Sequence, residues 1–218
     1  PAVGWVDLVE AALAVRAGAF WVATNLDRTL PTKRGPVPGN GALVAAVRTA
    51  LGRDPDVVVG KPEPTLLRAA AQLSGAVRPI AVGDRLDTDI EGARRSGMDS
   101  LLVLTGVSRP RDLLVAPPRQ RPTHVAADLF GLFEPDDVVR IPQLAAGNDG
   151  VTVSGWRVTR RDKGLELSGS GDPLPALRLL CALAWTGEQS WPDGEPARVT
   201  AASQAAADAL RSLDLGWP

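Results

Sequence analysis

The chain has 218 residues, a net charge of −1, 44% hydrophobic residues and a single cysteine. That length allows one sizeable core with an appendage, and the near-neutral balance offers no basic field to draw nucleic acid or an anionic membrane. The apolar runs are too short to span a bilayer, and one cysteine excludes an internal disulfide framework and suits a reducing, cytoplasmic setting.

The first predicted element is a helix over residues 7–17. Leu8, Ala11, Ala12 and Val15 recur at spacings of three and four, and Gly18 stops it. A strand follows at residues 20–23. Residues 25–41 hold three prolines and three glycines and read as a long irregular loop, a kind that is usually functional in a compact domain. Residues 42–51 form a helix ended by Gly52. The run 57–59 is a strand that stops at Gly60 and Lys61. Pro62 and Pro64 then start a helix through Leu66, Leu67, Ala70 and Leu73.

The next stretch organises the rest. Ile80, Ala81 and Val82 read as a strand covered on both faces, with Gly83 and Asp84 just past its end. Asp89 opens an apolar-periodic segment (Ile90, Ala93, Gly97) as a helix N-cap would. Carboxylates at 84 and 89 can converge on one point, where a hard divalent cation finds oxygen ligands. The bland alternative is a solvated Asp84 beside a capping Asp89. Residues 100–104 give another strand, ending at Thr105 and Gly106. Residues 109–122 are loop-like, and 124–126 form the last strand. His124 is the sole histidine and reads as structural, since it lacks partners for a site. Four strands therefore end beside Asn25, Lys61, Asp84 and Thr105. Ligands of open parallel sheets bind beyond such carboxyl ends. A lysine squeezed between Gly60 and Pro62 is poorly placed to snorkel and well placed to meet an anion.

Val59-Gly60-Lys61-Pro62 together with Val82-Gly83-Asp84-Arg85-Leu86-Asp87-Thr88-Asp89-Ile90 resembles the third and fourth motifs of the haloacid dehalogenase superfamily. Ala23-Thr24-Asn25-Leu26-Asp27 and Pro38-Gly39-Asn40-Gly41 are similar to its subfamily of 4-nitrophenyl, pyridoxal and glycerol phosphate phosphatases. The resemblance runs from about Trp5 to Phe133. It implies an α/β fold with a doubly wound, Rossmann-like parallel sheet. Residues 1–40 would end a cap domain and make the cap–core junction, and residues 41–135 would form the C-terminal half of the core. It also implies hydrolysis of a small phosphorylated metabolite with Mg²⁺ through an aspartyl-phosphate intermediate. Lys61 would neutralise the transferring phosphoryl group, Asp84 and Asp89 would serve the metal, and Asn25, Asp27, Arg28 and Leu30 would face the substrate. Pyridoxal phosphatases carry a histidine where Leu30 stands here. That points toward a short polyol ester such as glycerol 3-phosphate, with Arg28, Thr29 and Lys33 available to it. The family's Asp-x-Asp-Gly motif, which holds the nucleophile and the general acid/base, does not occur in this sequence; it is expected upstream of Pro1 in a longer polypeptide. A sugar, pyridoxal or nucleotide monophosphatase, or a non-catalytic binding remnant, remain as alternatives. A homodimer through the cap is compatible with the resemblance.

From Glu134 the composition changes. Residues 135–137 and 145–150 read as linkers. Residues 151–154, 156–159 and 165–168 alternate in polarity, as strands of a small antiparallel sheet would. Residues 173–185, with Leu177, Leu180, Cys181 and Ala184, form an apolar helix, and residues 201–213 another. Residues 136–218 are thus expected as a small α+β appendage, separable from catalysis, that resembles half of an acetyltransferase-like fold without a Gly-rich pyrophosphate loop. Trp156, Trp185, Trp191 and Trp217 suit its core, and Cys181 is expected buried and inert.

Overall fold

The computed structural model describes residues 3–145, 147–161, 164–186 and 198–216. Helix α1 (Trp5–Arg16) starts where the Asp7 carboxylate accepts the Gly4 N–H at 2.7 Å, and it leads to β1 (Val22–Ala23). The stretch expected as an irregular loop contains a short antiparallel hairpin, β2 (Thr29–Leu30) and β3 (Val37–Pro38), its turn closed by the Gly35 N–H on the Thr32 carbonyl at 3.0 Å. Helix α2 (Asn40–Leu51) ends at a left-handed Gly52, and β4 (Val57–Val58) pairs in parallel with β1, Val22 opposite Val57. Helix α3 (Thr65–Ser74) follows.

A second parallel ladder comprises β5 (Ile80–Gly83), β6 (Asp99–Val103) and β7 (His124–Ala126), with β6 in the middle. Helix α4 (Glu91–Ser96) joins β5 to β6. Ahead of it, residues Leu86–Ile90 form one wide turn, in which the Ile90 N–H reaches back five residues to the Arg85 carbonyl at 3.1 Å. Asp89 therefore sits inside this turn and is not the N-cap that the sequence suggested. Such wide turns occur often at functional sites. Residues 109–122 are not loop throughout: α5 (Pro110–Leu114) starts on a proline, and the Asp112 carboxylate accepts the Arg109 N–H. The expected linker at 135–137 leads into a single helical turn, α6 (Asp136–Val139).

The last part is a four-stranded sheet covered by helices. Strands β8 (Gly150–Val153), β9 (Trp156–Arg161) and β10 (Gly164–Gly169) form the expected antiparallel meander. Helix α7 (Pro173–Ala184) starts with Pro173 behind an Asp172 cap and crosses one face. The helix expected over 201–213 is α8 (Gln204–Ser212), which begins after Ser203, whose hydroxyl accepts the Ala206 N–H; a strand that was not expected, β11 (Arg198–Ala201), precedes it and pairs in parallel with β10.

Strand alternation and the apolar α7 explain the core. Trp156, Val158, Leu165 and Leu167 point inward and meet α7, which is buried from Ala176 to Ala184. The same cluster continues through Leu113, Val125 and Leu102 to Leu86 and Ile90. Three polar bonds stitch the parallel ladder and α5 to α7 and Trp185: Arg178 Nε to the Val125 carbonyl (3.0 Å), Trp185 Nε1 to the Leu113 carbonyl (3.0 Å) and Arg121 to the Trp185 carbonyl (3.3 Å). Trp191 and Trp217 lie outside the described residues. Cys181 is fully buried in this cluster, and burial pushes its thiol up, which makes it unreactive. His124 is also buried, with Nδ1 on the Ser100 carbonyl and Nε2 on Asp136. Among the described residues no helix is long and apolar enough to cross a membrane.

Candidate active site

Loops from both parallel ladders meet beyond the carboxyl ends of β4, β5 and β6. The Asp89 side chain, 8% exposed, is their centre. Its Oδ2 accepts the backbone N–H groups of Asp84 (3.1 Å) and Arg85 (3.0 Å), and its Oδ1 is ion-paired with Lys61 Nζ. These are charge-assisted bonds, stronger than neutral ones. Gly83 permits them: a Cβ at that position would collide with the Asp89 carboxylate. The wide turn thus serves to carry a carboxylate back under the strand end from which it came.

Asp84 faces the other way. Its Oδ2 accepts the Val107 N–H at 2.8 Å, and its carbonyl accepts the Ser108 N–H at 3.0 Å. The Ser108 hydroxyl in turn accepts the Leu86 N–H at 3.0 Å. Gly106 lies against the Asp84 carboxylate so closely that a Cβ there would overlap it. The loop after β6 therefore clamps the loop after β5. Oδ1 of Asp84 accepts no hydrogen bond among the described residues.

Two cations and three carboxylates share this edge. Partial burial works against the charge of Lys61, but the bond to Asp89, and then the charges of Asp89, Asp27 and Asp84, hold its ammonium above the ordinary value. The bond to Asp87 is the main reason that the Arg85 guanidinium is also raised, with Asp27 and Asp84 adding to it. Asp27 sits between these influences, and its Oδ1 is buried without a hydrogen-bond partner. Its loop is shaped by Asn25, whose Oδ1 accepts the Asp27 N–H (3.1 Å) and whose carbonyl accepts Asn40 Nδ2 (2.8 Å). Arg28 and Leu30 are exposed, Leu30 on the hairpin, and Thr105 is exposed as well. The structure therefore brings Lys61, Asp84, Asp89 and Asp27 to one place. It turns the Asn25 Oδ1 and carbonyl to its own loop, puts Arg28 in a separate cleft beside α2, and leaves Leu30 and Thr105 exposed.

The donor set suits a hard cation in part. Among the described residues no three His, Cys, Asp or Glu side chains come together to hold a metal. Mg²⁺, however, commonly takes one or two carboxylates and keeps several waters. The open Asp84 oxygen fits that habit, whereas both oxygens of Asp89 are committed to donors. The orphaned Asp27 Oδ1 is a second acceptor in need of a partner. Sequence reasoning missed Arg85, Val107 and Ser108. All three act through backbone N–H groups, which carry no residue signature, and only the Gly106 pause after a buried strand could have hinted at the clamp.

Comparison with known proteins places these motifs. Residues 58–132 match the HAD-hydrolase-like family, and residues 154–215 match the GCN5-related N-acetyltransferase like domain. The chain is 42% identical over 214 residues to the D-glycerol 3-phosphate phosphatase of Mycobacterium tuberculosis, which covers 97% of this chain. Crystal structures of a glycerol phosphate phosphatase from that organism superpose with TM-scores of 0.84 (calcium complex, 100% of this chain) and 0.83 (magnesium complex, 98%), each at 40% identity. The chain spans 60% of the first relative's length and 62% and 61% of the two crystallised chains.

Proposed function

From a chain whose residues 58–132 are haloacid dehalogenase-like, we propose that the protein is a Mg²⁺-dependent phosphomonoester hydrolase whose substrate is glycerol 3-phosphate. The observation that carries this reading is the Lys61 ammonium, tied down by Asp89 at the strand ends beside an Asp84 carboxylate with an open oxygen. The similarity to glycerol phosphate phosphatases, one crystallised with magnesium, supports the substrate and the ion.

Asp84, through its open oxygen, would hold Mg²⁺, and the ion would supply charge neutralisation at the phosphoryl oxygens. Lys61 is the chain's own contribution to the same task. Its ammonium is already oriented by Asp89, so little reorganisation is needed as charge builds on the equatorial oxygens. Asp89 positions Lys61 and fixes the backbone of Asp84 with the same carboxylate. The attacking carboxylate is assigned to an aspartate outside these 218 residues. It bonds to phosphorus as the ester C–O oxygen leaves, a second aspartate there protonates that oxygen to the alcohol, and water then cleaves the acyl phosphate to release inorganic phosphate. We take Leu30, exposed on the hairpin, to face the substrate, where an apolar side chain offers no hydrogen bond to a pyridine ring.

A panel of phosphomonoesters with the full-length protein in Mg²⁺ buffer tests this. A higher kcat/KM for glycerol 3-phosphate than for pyridoxal 5′-phosphate, a hexose phosphate or a nucleoside monophosphate is expected. A clear preference for one of the others overturns the substrate, and absence of Mg²⁺-dependent turnover on all of them overturns the hydrolase. Asp84→Asn should raise the Mg²⁺ concentration required by about tenfold or more.

A further inference from the structure

A second cleft, about 740 Å³ in volume, opens at the opposite edge of the β5–β6–β7 ladder, where these strands begin and α7 ends. That volume lies within the roughly 300–1,000 Å³ usual for small-molecule sites. Its charged lining is Arg78, Arg94, Arg121 and Arg140 against Asp99. Four cations and one carboxylate leave +3 in a protein whose net charge is −1.

The arginines differ in what holds them. Arg140 is already paired, at 2.7 Å with Asp136 and 3.8 Å with Asp99. Arg121 has no carboxylate. It donates to the carbonyls of Ala116 (3.0 Å) and Trp185 (3.3 Å), and its guanidinium lies 5.4 Å from the Trp185 ring centre. Backbone oxygens and an aromatic face therefore fix a cation at the wall of the cleft. Arg94 reaches only the Arg121 carbonyl, at 3.4 Å. Among the described residues neither Arg78, Arg94 nor Arg121 takes part in an ion pair. Burial, and then the charge of Arg94, push the Arg121 guanidinium below its ordinary value, as expected for like charges gathered without a counter-ion.

We propose that this cleft binds a small phosphate-bearing polyanion through Arg78, Arg94 and Arg121, independently of the site at the other end of the strands. Guanidinium forks match phosphate oxygens in pairs. Arg78 and Arg94 have no carboxylate partner, and Arg121, although its donors are held by carbonyls, adds an uncompensated charge; together they call for more than one negative charge, which a phosphorylated molecule supplies and a monocarboxylate does not. The cleft is open to solvent on one side and of a size that suits a metabolite.

The probe is inorganic pyrophosphate, titrated calorimetrically into the purified protein at low ionic strength with EDTA present. Saturable binding is expected, weakening as salt is added. It should persist in Lys61→Met and fall by about tenfold or more in Arg78→Glu/Arg94→Glu. Both of those arginines are exposed, so the double variant should keep its fold, which circular dichroism and an unchanged Tm would verify. Binding lost in Lys61→Met and kept in the double variant would put the anion at the first site and overturn the proposal. So would the lack of saturable binding up to about 10 mM, beyond the millimolar range of even weak sites.

Discussion

Residues 3–76 and residues 80–216 use the same kinds of element but differ in how they cover them. In the first region α1 and α3 bury no residue, Trp5 is 78% exposed, and among the described residues Ala23 and Val47 are the buried apolar side chains. In the second, nine successive residues of α7 are buried, and one apolar cluster runs from Leu86 to Leu213. The candidate site draws on both. Asp84 and Asp89 stand on the densely packed side, while Lys61, Asp27 and the hairpin belong to the thinly covered side. Placement of those two carboxylates is therefore determined by core packing, and placement of Lys61 and Asp27 rests on loop bonds and one ion pair. Dense packing suits groups that must not move, and loosely held loops suit those that select a ligand.

Leu177→Ala strains this contrast most. It empties a fully buried position in the cluster that also holds Leu86 and Ile90, and should cost about 2–5 kcal/mol. Calorimetry should show the melting of residues 80–216 shift downward as one transition, with turnover lost over the same temperatures. A separate transition for residues 136–218, with Mg²⁺-dependent turnover surviving it, would show that the cluster is two units.

Lys61→Met probes the contact between the regions. Its side chain is 41% exposed, so the ion pair should add little to stability, and Tm should move by no more than a degree or two. The loss of a preorganised charge should lower kcat about a hundredfold. A normal kcat would remove Lys61 from the chemistry.

Glu91 sharpens the picture within the dense region. Its buried carboxylate accepts from Gln120, Arg95 and Arg119, tying α4 to the turn at Pro118–Gln120. Burial alone would raise its pKa, but these three partners outweigh burial and lower it. A group depressed in the folded state stabilises above its unfolded pKa of about 4.3 and loses that contribution as pH falls through the lower folded value. Glu91→Gln should thus lower stability by about 1–2 kcal/mol at pH 7, a figure discounted for the exposed arginines. The difference from the unmutated protein should shrink in denaturation curves taken below about pH 4. A constant difference down to pH 2 would mean that the carboxylate charge is not what matters.

Leu30→His is the smallest change expected. The side chain is 50% exposed on the hairpin, so Tm should hold. The ratio of kcat/KM for glycerol 3-phosphate over pyridoxal 5′-phosphate should narrow by several-fold, toward the roughly tenfold worth of one good hydrogen bond. An unchanged ratio would place the selective contacts elsewhere.

The runs at 57–59, 80–82, 100–104 and 124–126 were readable as strands because each is mainly apolar; full burial holds only for most of β6 and for β7, whereas β4 is half-buried and β5, expected to be covered on both faces, begins at an exposed Ile80 and is elsewhere half-buried. The alternation at 156–159 and 165–168 was readable for the complementary reason. The hairpin inside 25–41 escaped notice because its strands are two residues long and one contains Pro38. The wide turn at Leu86–Ile90 escaped notice because Asp89 is an equally good helix cap on paper; only the nearness of Gly83 and Lys61 decides for the buried position. Arg198–Ala201 could not be assigned to a parallel partner, since register with β10 is set by a return path of nearly thirty residues, not by local pattern. The arginine cleft was invisible for the same reason: Arg78, Arg94, Arg121 and Trp185 converge only through topology.

Gly83 and Gly106 have a consequence for how such a protein can diversify. Each leaves room for one carboxylate, so a single methyl at either position would displace Asp89 or Asp84. Substitution there is closed. The hairpin of β2 and β3, by contrast, has both residues of each strand exposed and packs beside α2. Sequence change is therefore open to the hairpin, where no buried residue is called on to adapt, and closed beside the two carboxylates.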